Sequence, residues 1–231
     1  MPRATAIRTI YSNDEVLVVY KPASIPSAPL TEDGDEFCLV NLVKDFEPRV
    51  MVPIGRLRRE GGLVHRLDTP TRGLVLFALT QKAYDDLMVQ QKKDGIVKQY
   101  RATPSWGRCP LPEGFPDYPY HDVLCEAGAI SSCFRSYGPK GASVRPTLDA
   151  QARRCSGVVY STLTEPDGDG SIICTLTRGF RHQIRAHLAW SGHPLQGDER
   201  YGGRQADVFG LEAVGLSFRD PESGNYLTIT V

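Results

Sequence analysis

Nothing in the 231-residue chain reaches the roughly 18 consecutive apolar residues that a membrane-spanning helix requires. The N-terminal stretch Met1-Pro2-Arg3-Ala4-Thr5-Ala6-Ile7 lacks the apolar core of a secretory signal, so the expected location is the cytoplasm. Six cysteines, at positions 38, 109, 125, 133, 155 and 174, form no C-x-x-C pair. That spacing argues against a zinc site and against a disulfide framework, and the expectation is reduced, mostly buried thiols. There is no P-loop, no H-E-x-x-H, no G-x-S-x-G and no dinucleotide fingerprint, which removes the common nucleotide, metalloprotease and serine-hydrolase chemistries. Internal repeats and low-complexity segments are also missing.

Net charge is missing too: 27 basic residues balance 27 acidic ones. A nucleic-acid-binding chain is often basic overall, but an electrostatic footprint needs potential on one face rather than a large total. Here the charges are segregated. Arg56, Arg58, Arg59, Arg66 and Arg72 crowd one segment, and Arg178, Arg181, Arg185, Arg200 and Arg204 another. Acid gathers at Glu32-Asp33-Gly34-Asp35-Glu36 and at Glu165-Pro166-Asp167-Gly168-Asp169. The apolar share of 41% and charged share of 23% are those of a chain that folds around a core.

Periodicity predicts a strand over 15–20 that breaks at Lys21-Pro22, and a short helix over 39–47 ended by Pro48. Residues 63–68 alternate like a strand, with Leu63, His65 and Leu67 on one face and Val64, Arg66 and Asp68 on the other. After the turn-like Thr69-Pro70-Thr71-Arg72-Gly73, residues 74–79 read as a buried strand. Thr80 is a candidate cap for a helix to about Asp94, with Gly95 as its stop. A strand follows over 96–102. Residues 104–146 are rich in Pro and Gly and read as an irregular insertion. Strands over 158–164 and 171–177 flank a turn that faintly resembles a calcium loop, but its twelfth position, counted from Asp167, is Arg178 where such a loop needs Glu. A helix over 182–191 ends at Gly192, and a strand closes the chain over 226–231.

Two segments carry candidate chemistry. Arg66 and Asp68 leave the core together at a Pro- and Gly-containing turn; by themselves they fit a surface ion pair. The helix over 182–191 puts Arg181 and Arg185 one turn apart with His182 beside them and Ile184 and Leu188 as its apolar stripe. Its wet face then offers Arg, His and Gln, which suits an anionic or polar target.

The sequence Val64-His65-Arg66-Leu67-Asp68-Thr69-Pro70-Thr71-Arg72-Gly73-Leu74 resembles the H-R-L-D-x-x-T-S-G-L signature of RluA-type pseudouridine synthases. Lys98-Gln-Tyr100-Arg-Ala102 is similar to that family's K-x-Y-x-A element. His182-Gln-Ile-Arg185-Ala-His187-Leu, then Gly192-His-Pro194 and Gly197-Asp-Glu-Arg-Tyr201-Gly, resemble its H-Q-I-R-x-H and G-H-P-x-x-G-D-x-x-Y-G blocks. Glu15-Val-Leu-Val-Val-Tyr-Lys21-Pro-Ala and Leu216-Ser-Phe-Arg-Asp-Pro221-Glu-Ser-Gly224 fit its two ends. The blocks stand in family order. Two positions depart from it: Arg72 replaces the usual Ser before Gly73, and Gly179-Phe180-Arg181-His182 replaces G-R-T-H, displacing an arginine.

The resemblance implies an α+β fold, a mixed and largely antiparallel sheet flanked by helices with an RNA cleft. It implies a single catalytic domain over residues 1–231, with the insertion at about 104–146 and without the accessory N-terminal RNA-binding module. The implied activity is isomerisation of uridine to pseudouridine in ribosomal or transfer RNA, with no cofactor, no metal, no membrane and no protein partner. Asp68 is the implied nucleophile, Arg185 its counter-charge and Tyr100 a pocket ring, with Arg66, Arg72, Arg178, Arg181 and His182 facing RNA. A buried carboxylate needs such a cation to stay ionised. Three other readings compete. A non-catalytic RNA-binding relative has no need of Asp68, Tyr100 and Arg185 together. A glycoside hydrolase wants a second carboxylate, and a plain α/β scaffold leaves the ordered blocks unexplained.

Overall fold

The computed structural model describes residues 7–31, 36–153, 155 and 157–231. Residues 32–35 of the acidic run and residues 1–6 lie outside them. The elements, in order, are β1 (Arg8–Ser12), β2 (Val16–Lys21), α1 (Leu39–Lys44), β3 (Arg72–Ala78), α2 (Gln81–Lys92) and β4 (Val97–Ala102). Then come β5 (Gly128–Tyr137), β6 (Ser143–Thr147), β7 (Tyr160–Pro166), β8 (Ile172–Leu176), α3 (Gln183–Trp190), β9 (Leu211–Arg219) and β10 (Tyr226–Thr230). The chain divides into two compact units, one made of the chain up to Lys98 with Ala213–Val231, the other of Gln99–Glu212.

In the first unit β2 pairs antiparallel with β1 and β3, and β10 with β9. The apolar run predicted over 74–79 is β3, buried on both faces. Helix α2 covers one of them: Ala83, Tyr84 and Leu87 pack on Leu74, Leu76, Leu216 and Phe218. Each such fully buried side chain contributes about 1.5–3 kcal/mol. Thr80 caps α2 as its position suggests, its Oγ1 accepting from Ala83 N at 3.1 Å. The left-handed residue past the helix end is Asp94 (φ 58°) rather than Gly95. A short polar side chain tolerates that conformation, and Gly95 N then donates to Gln90 O at 2.8 Å.

Residues 63–68 form no strand; Leu63 makes a single bridge to Phe77 and the rest is loop. The alternation fails at Val64, which is buried with Leu63 and Leu67 because its N–H donates to Leu76 O at 3.0 Å. The helix predicted over 39–47 stops at Lys44, and a 3-10 turn, Pro48–Met51, follows it. Pro48 offers no N–H to extend a helix.

In the second unit the strand order is β4-β8-β7-β5-β6. Register is antiparallel for β7 with β8, β5 with β7 and β5 with β6. The insertion is therefore irregular only in its first part: β5 and most of β6 lie within it. Arg135, Arg145 and Pro146 obscured the strand pattern, and β6, last in the order, is an edge strand where proline is tolerated. In the β7–β8 turn, Asp167 and Asp169 form ion pairs with Arg101 at 2.8 and 3.1 Å.

Helix α3 corrects the sequence reading twice. It begins at Gln183, because His182 takes a left-handed conformation (φ 57°), so Arg181 stands before the helix and not one turn above Arg185 on it. It also has no wet face: all eight residues are buried. Its polar groups find partners inside. Gln183 Nε2 donates to Ser161 O at 2.9 Å and to Thr162 Oγ1 at 3.1 Å. His187 lies 2.9 Å from both Ser132 Oγ and Thr162 Oγ1. A helix buried all round is a core element.

Candidate active site

Asp68 is half-buried in the loop before β3 of the first unit, and the residues on either side of it are pinned. Ser27 Oγ donates to Leu67 O at 2.7 Å and accepts from Leu67 N at 3.0 Å. On the other side Lys21, at the end of β2 and fully buried, donates to Thr69 O at 3.2 Å. Its ammonium also donates to Pro22 O at 3.0 Å and Ile25 O at 2.7 Å, so all three of its protons have carbonyl partners. Burial lowers the Lys21 pKa to about 8, and the Asp68 carboxylate opposes the shift. At neutral pH Lys21 therefore carries its charge beside Asp68.

The loop is closed by Thr71 N donating to Asp68 O at 3.0 Å. Gly73 follows with φ 121°, where an added Cβ would stand 2.3 Å from Ala213 O, so the backbone approach excludes a side chain. His65 accepts from Leu76 N at 3.3 Å through Nε2, and burial together with the nearby Lys98 charge lowers its pKa to about 3. It is a neutral prop behind the loop.

Arg66, beside Asp68, is exposed and pairs with the buried Glu60 at 3.0 Å. Arg72 is half-buried at the start of β3. Among the sequence candidates the first unit thus gathers Asp68, Arg66 and Arg72 on one loop. Lys21 joins them as a residue that sequence reasoning quoted without giving it a role. Its signal was a lysine continuing an otherwise apolar strand.

The second unit holds Tyr100 and Arg185. Tyr100 is buried in β4, on the same face as Lys98 and Ala102. Arg185 is 5% exposed, and a carboxylate that sequence reasoning overlooked holds it. Its Nε donates to Asp198 Oδ2 and its Nη2 to Asp198 Oδ1, both at 2.7 Å. The guanidinium lies over the rings of Tyr201, at 5.1 Å, and Phe209, at 5.3 Å. Asp198 is fixed in turn: its carbonyl accepts from Tyr201 N at 3.0 Å and Gly203 N at 2.9 Å. A Cβ on Gly203 would strike Leu195 O at 1.9 Å. The G-D-x-x-Y-G block is thus a carboxylate mount for the helix arginine.

The displaced arginine has a packing cause. Phe180 stacks on Phe134 at 5.0 Å with rings 6° from parallel, and meets Tyr160 at 5.0 Å. Arg178 is exposed. Arg181 is exposed too and turns to the β5–β6 connection, donating through Nη2 to Gly141 O and, at 3.3 Å, to Ser143 O. His182 Nδ1 lies 2.9 Å from Tyr201 Oη.

Among the described residues no helix is long and apolar enough to cross a membrane, and no group of three or more His, Cys, Asp or Glu is placed to hold a metal. None of the six cysteines forms a disulfide; Cys38, Cys133 and Cys174 are buried, Cys109 and Cys155 half-buried and Cys125 exposed, fewer buried than the sequence suggested.

A family profile described as RNA pseudouridylate synthase matches residues 15–190. The chain is 27% identical over 228 residues to ribosomal large subunit pseudouridine synthase D of Blochmanniella floridana, with 98% of this chain and 62% of that protein aligned. It is 26% identical over 234 residues to the dual-specificity RNA pseudouridine synthase RluA of Escherichia coli K12, with 98% and 93% aligned. The chain therefore spans less than two thirds of the first relative and nearly all of the second. In fold it is similar to human RNA pseudouridylate synthase domain containing 1, with a TM-score of 0.67 at 18% identity over 100% of this chain and 85% of that one. Human RNA pseudouridylate synthase domain containing 4 gives 0.62 at 17% over 96% and 87%. With more than half of its length under that profile, and its sequence blocks in the family's order, this chain belongs to the RluA-type RNA pseudouridine synthases.

Proposed function

We propose that the chain isomerises uridine to pseudouridine in structured RNA, with Asp68 as nucleophile. The observation that carries this reading is the double pinning of the Asp68 loop, by Ser27 at Leu67 and by Lys21 at Thr69. A carboxylate held this way, with a buried cation beside it, is preorganised for attack rather than left as a surface charge. The C–N glycosidic bond breaks, the uracil rotates and a C–C bond forms, with the C5 proton lost to solvent and one gained at the released nitrogen. Reactant and product have the same atoms and oxidation state. Arg185, aimed by Asp198 and two rings, supplies counter-charge to Asp68, and Tyr100 stacks on the uracil. The target base leaves its helix at a cost of about a few kcal/mol. Arg66, Arg72 and Arg178 serve the phosphates around it, and Arg66 can exchange Glu60 for RNA because it is exposed.

One relative's name refers to the large ribosomal subunit and the other's to dual specificity, which supports ribosomal RNA as a substrate; transfer RNA is the second substrate of this proposal. Six cysteines without a disulfide suit work in the reducing cytoplasm. The test is pseudouridine formation on total RNA from a strain lacking the gene. Asp68→Asn keeps the shape of the side chain and should abolish the product while RNA affinity stays within a few fold. Wild-type turnover by that variant would sink the mechanism. Absence of product with the wild-type chain would favour a non-catalytic RNA binder.

A further inference from the structure

The β5–β6 hairpin brings together cations that no carboxylate answers. Arg135 and Arg145 stand directly opposite each other in its register. Like charges in that position repel and destabilise a strand pair. At the tip, Lys140 is exposed in a left-handed conformation (φ 53°). Arg181 and Arg200 brace the tip, donating to Gly141 O and to Ala142 O, the latter at 2.7 Å. Tyr201 Oη accepts from Val144 N at 2.9 Å and ties the same turn to the start of α3. The Arg145 guanidinium lies 5.8 Å from the centroid of the Tyr137 ring and against Gly114, and Arg135 and Arg145 are both half-buried.

Four arginines elsewhere find acids: Arg49 pairs with Glu47, Arg66 with Glu60, Arg101 with Asp167 and Arg185 with Asp198. Among the described residues none of Arg135, Lys140, Arg145, Arg181 and Arg200 forms an ion pair. In a chain whose charges sum to zero, such a concentration on one braced hairpin makes a local positive field. An opposed arginine pair at an edge hairpin is costly unless an anion lies across it.

We propose that this face of the hairpin, centred on Arg135, Arg145 and Lys140, is a docking surface for the phosphate backbone of structured RNA. It rests on the reading that the chain acts on RNA, and it adds a contact outside the family's sequence blocks. Spaced cations on a rigid two-stranded ribbon recognise phosphate spacing rather than base identity, so the surface sets how the RNA lies and leaves the choice of uridine to the active site.

The experiment measures binding of labelled total RNA by fluorescence anisotropy from 50 to 300 mM salt, with the full chain and with Arg135→Gln, Arg145→Gln and the double variant. The slope of log affinity against log salt should flatten by about one for each cation removed. Thermal melting is measured alongside, and Arg145→Gln, which relieves the opposed charges, should melt no lower than wild type. A double variant that melts normally and keeps the wild-type slope would overturn the proposal. Binding is read without turnover, so failure of the Asp68 chemistry leaves this test intact. A wild-type chain that binds no RNA at any salt would remove both readings together.

Discussion

Asp198→Ala would leave the Arg185 guanidinium, 5% exposed, without the carboxylate that now accepts two of its hydrogen bonds at 2.7 Å. Breaking a buried pair from one side costs about 3–5 kcal/mol, because a charge stays behind in a poorly solvated place. For a chain of this size each kcal/mol lowers the melting temperature by about 2–4 °C, so the fall should be roughly 6–20 °C. Turnover should drop by about 100-fold, since the guanidinium loses the mount that aims it. Arg185→Met with Asp198→Leu separates the two effects. Removing both charges restores most of the melting temperature but no pseudouridine formation. The assays are a thermal melt and product formation on total RNA at a temperature where each variant is folded. An Asp198→Ala chain that melts within about 2 °C of wild type and turns over at the wild-type rate would refute the positioning role.

Two further outcomes follow from the Asp68 loop. Lys21 loses its proton as pH rises through about 8, so the isomerisation rate should fall along a basic limb there, and Lys21→Met should be slow with no such limb. Its pKa is lowered in the fold, so between pH 8 and 10.5 the unfolded chain holds more protons and stability should rise while the rate falls; identical pH–rate profiles for the two proteins would refute this role. Gly73→Ala must fit a Cβ 2.3 Å from Ala213 O at φ 121° and should destabilise by about 3 kcal/mol, measured by denaturant unfolding; a change below about 0.5 kcal/mol would show that the backbone yields.

Local signals in the sequence translated well where one interaction decides the conformation. Thr80 before an apolar helix pattern became a cap, and Gly192 ends α3 with φ 84°. Signals failed where tertiary partners override them. Residues 63–68 alternate, yet Ser27, distant in sequence, takes the hydrogen bonds a strand neighbour would have taken. Helix α3 shows polar residues at helical spacing, which reads as a wet face until Asp198, Ser132 and Thr162 arrive from elsewhere to satisfy them. The strands β5 and β6 carry arginines and a proline where strand patterns want apolar residues. The candidate nucleophile was legible because it sits in a contiguous block. Its supports, Lys21 and Ser27, lie more than forty positions upstream, and Asp198 joins Arg185 only through the fold.

Two hydroxyls hold the His187 ring, Ser132 Oγ and Thr162 Oγ1, each 2.9 Å from one of its nitrogens. Gln183 Nε2 donates to Thr162 Oγ1 at 3.1 Å, so glutamine, threonine, imidazole and serine form one buried series of hydrogen bonds. Burial lowers the pKa of this imidazole to about 3, which keeps it neutral throughout the working range of an enzyme. The second histidine of the H-Q-I-R-x-H block, which by residue type suggests an acid or a base, is thus a neutral cross-tie between β5, β7 and α3. Replacing Ser132 or Thr162 by an apolar residue of similar size would leave a buried ring nitrogen without its partner.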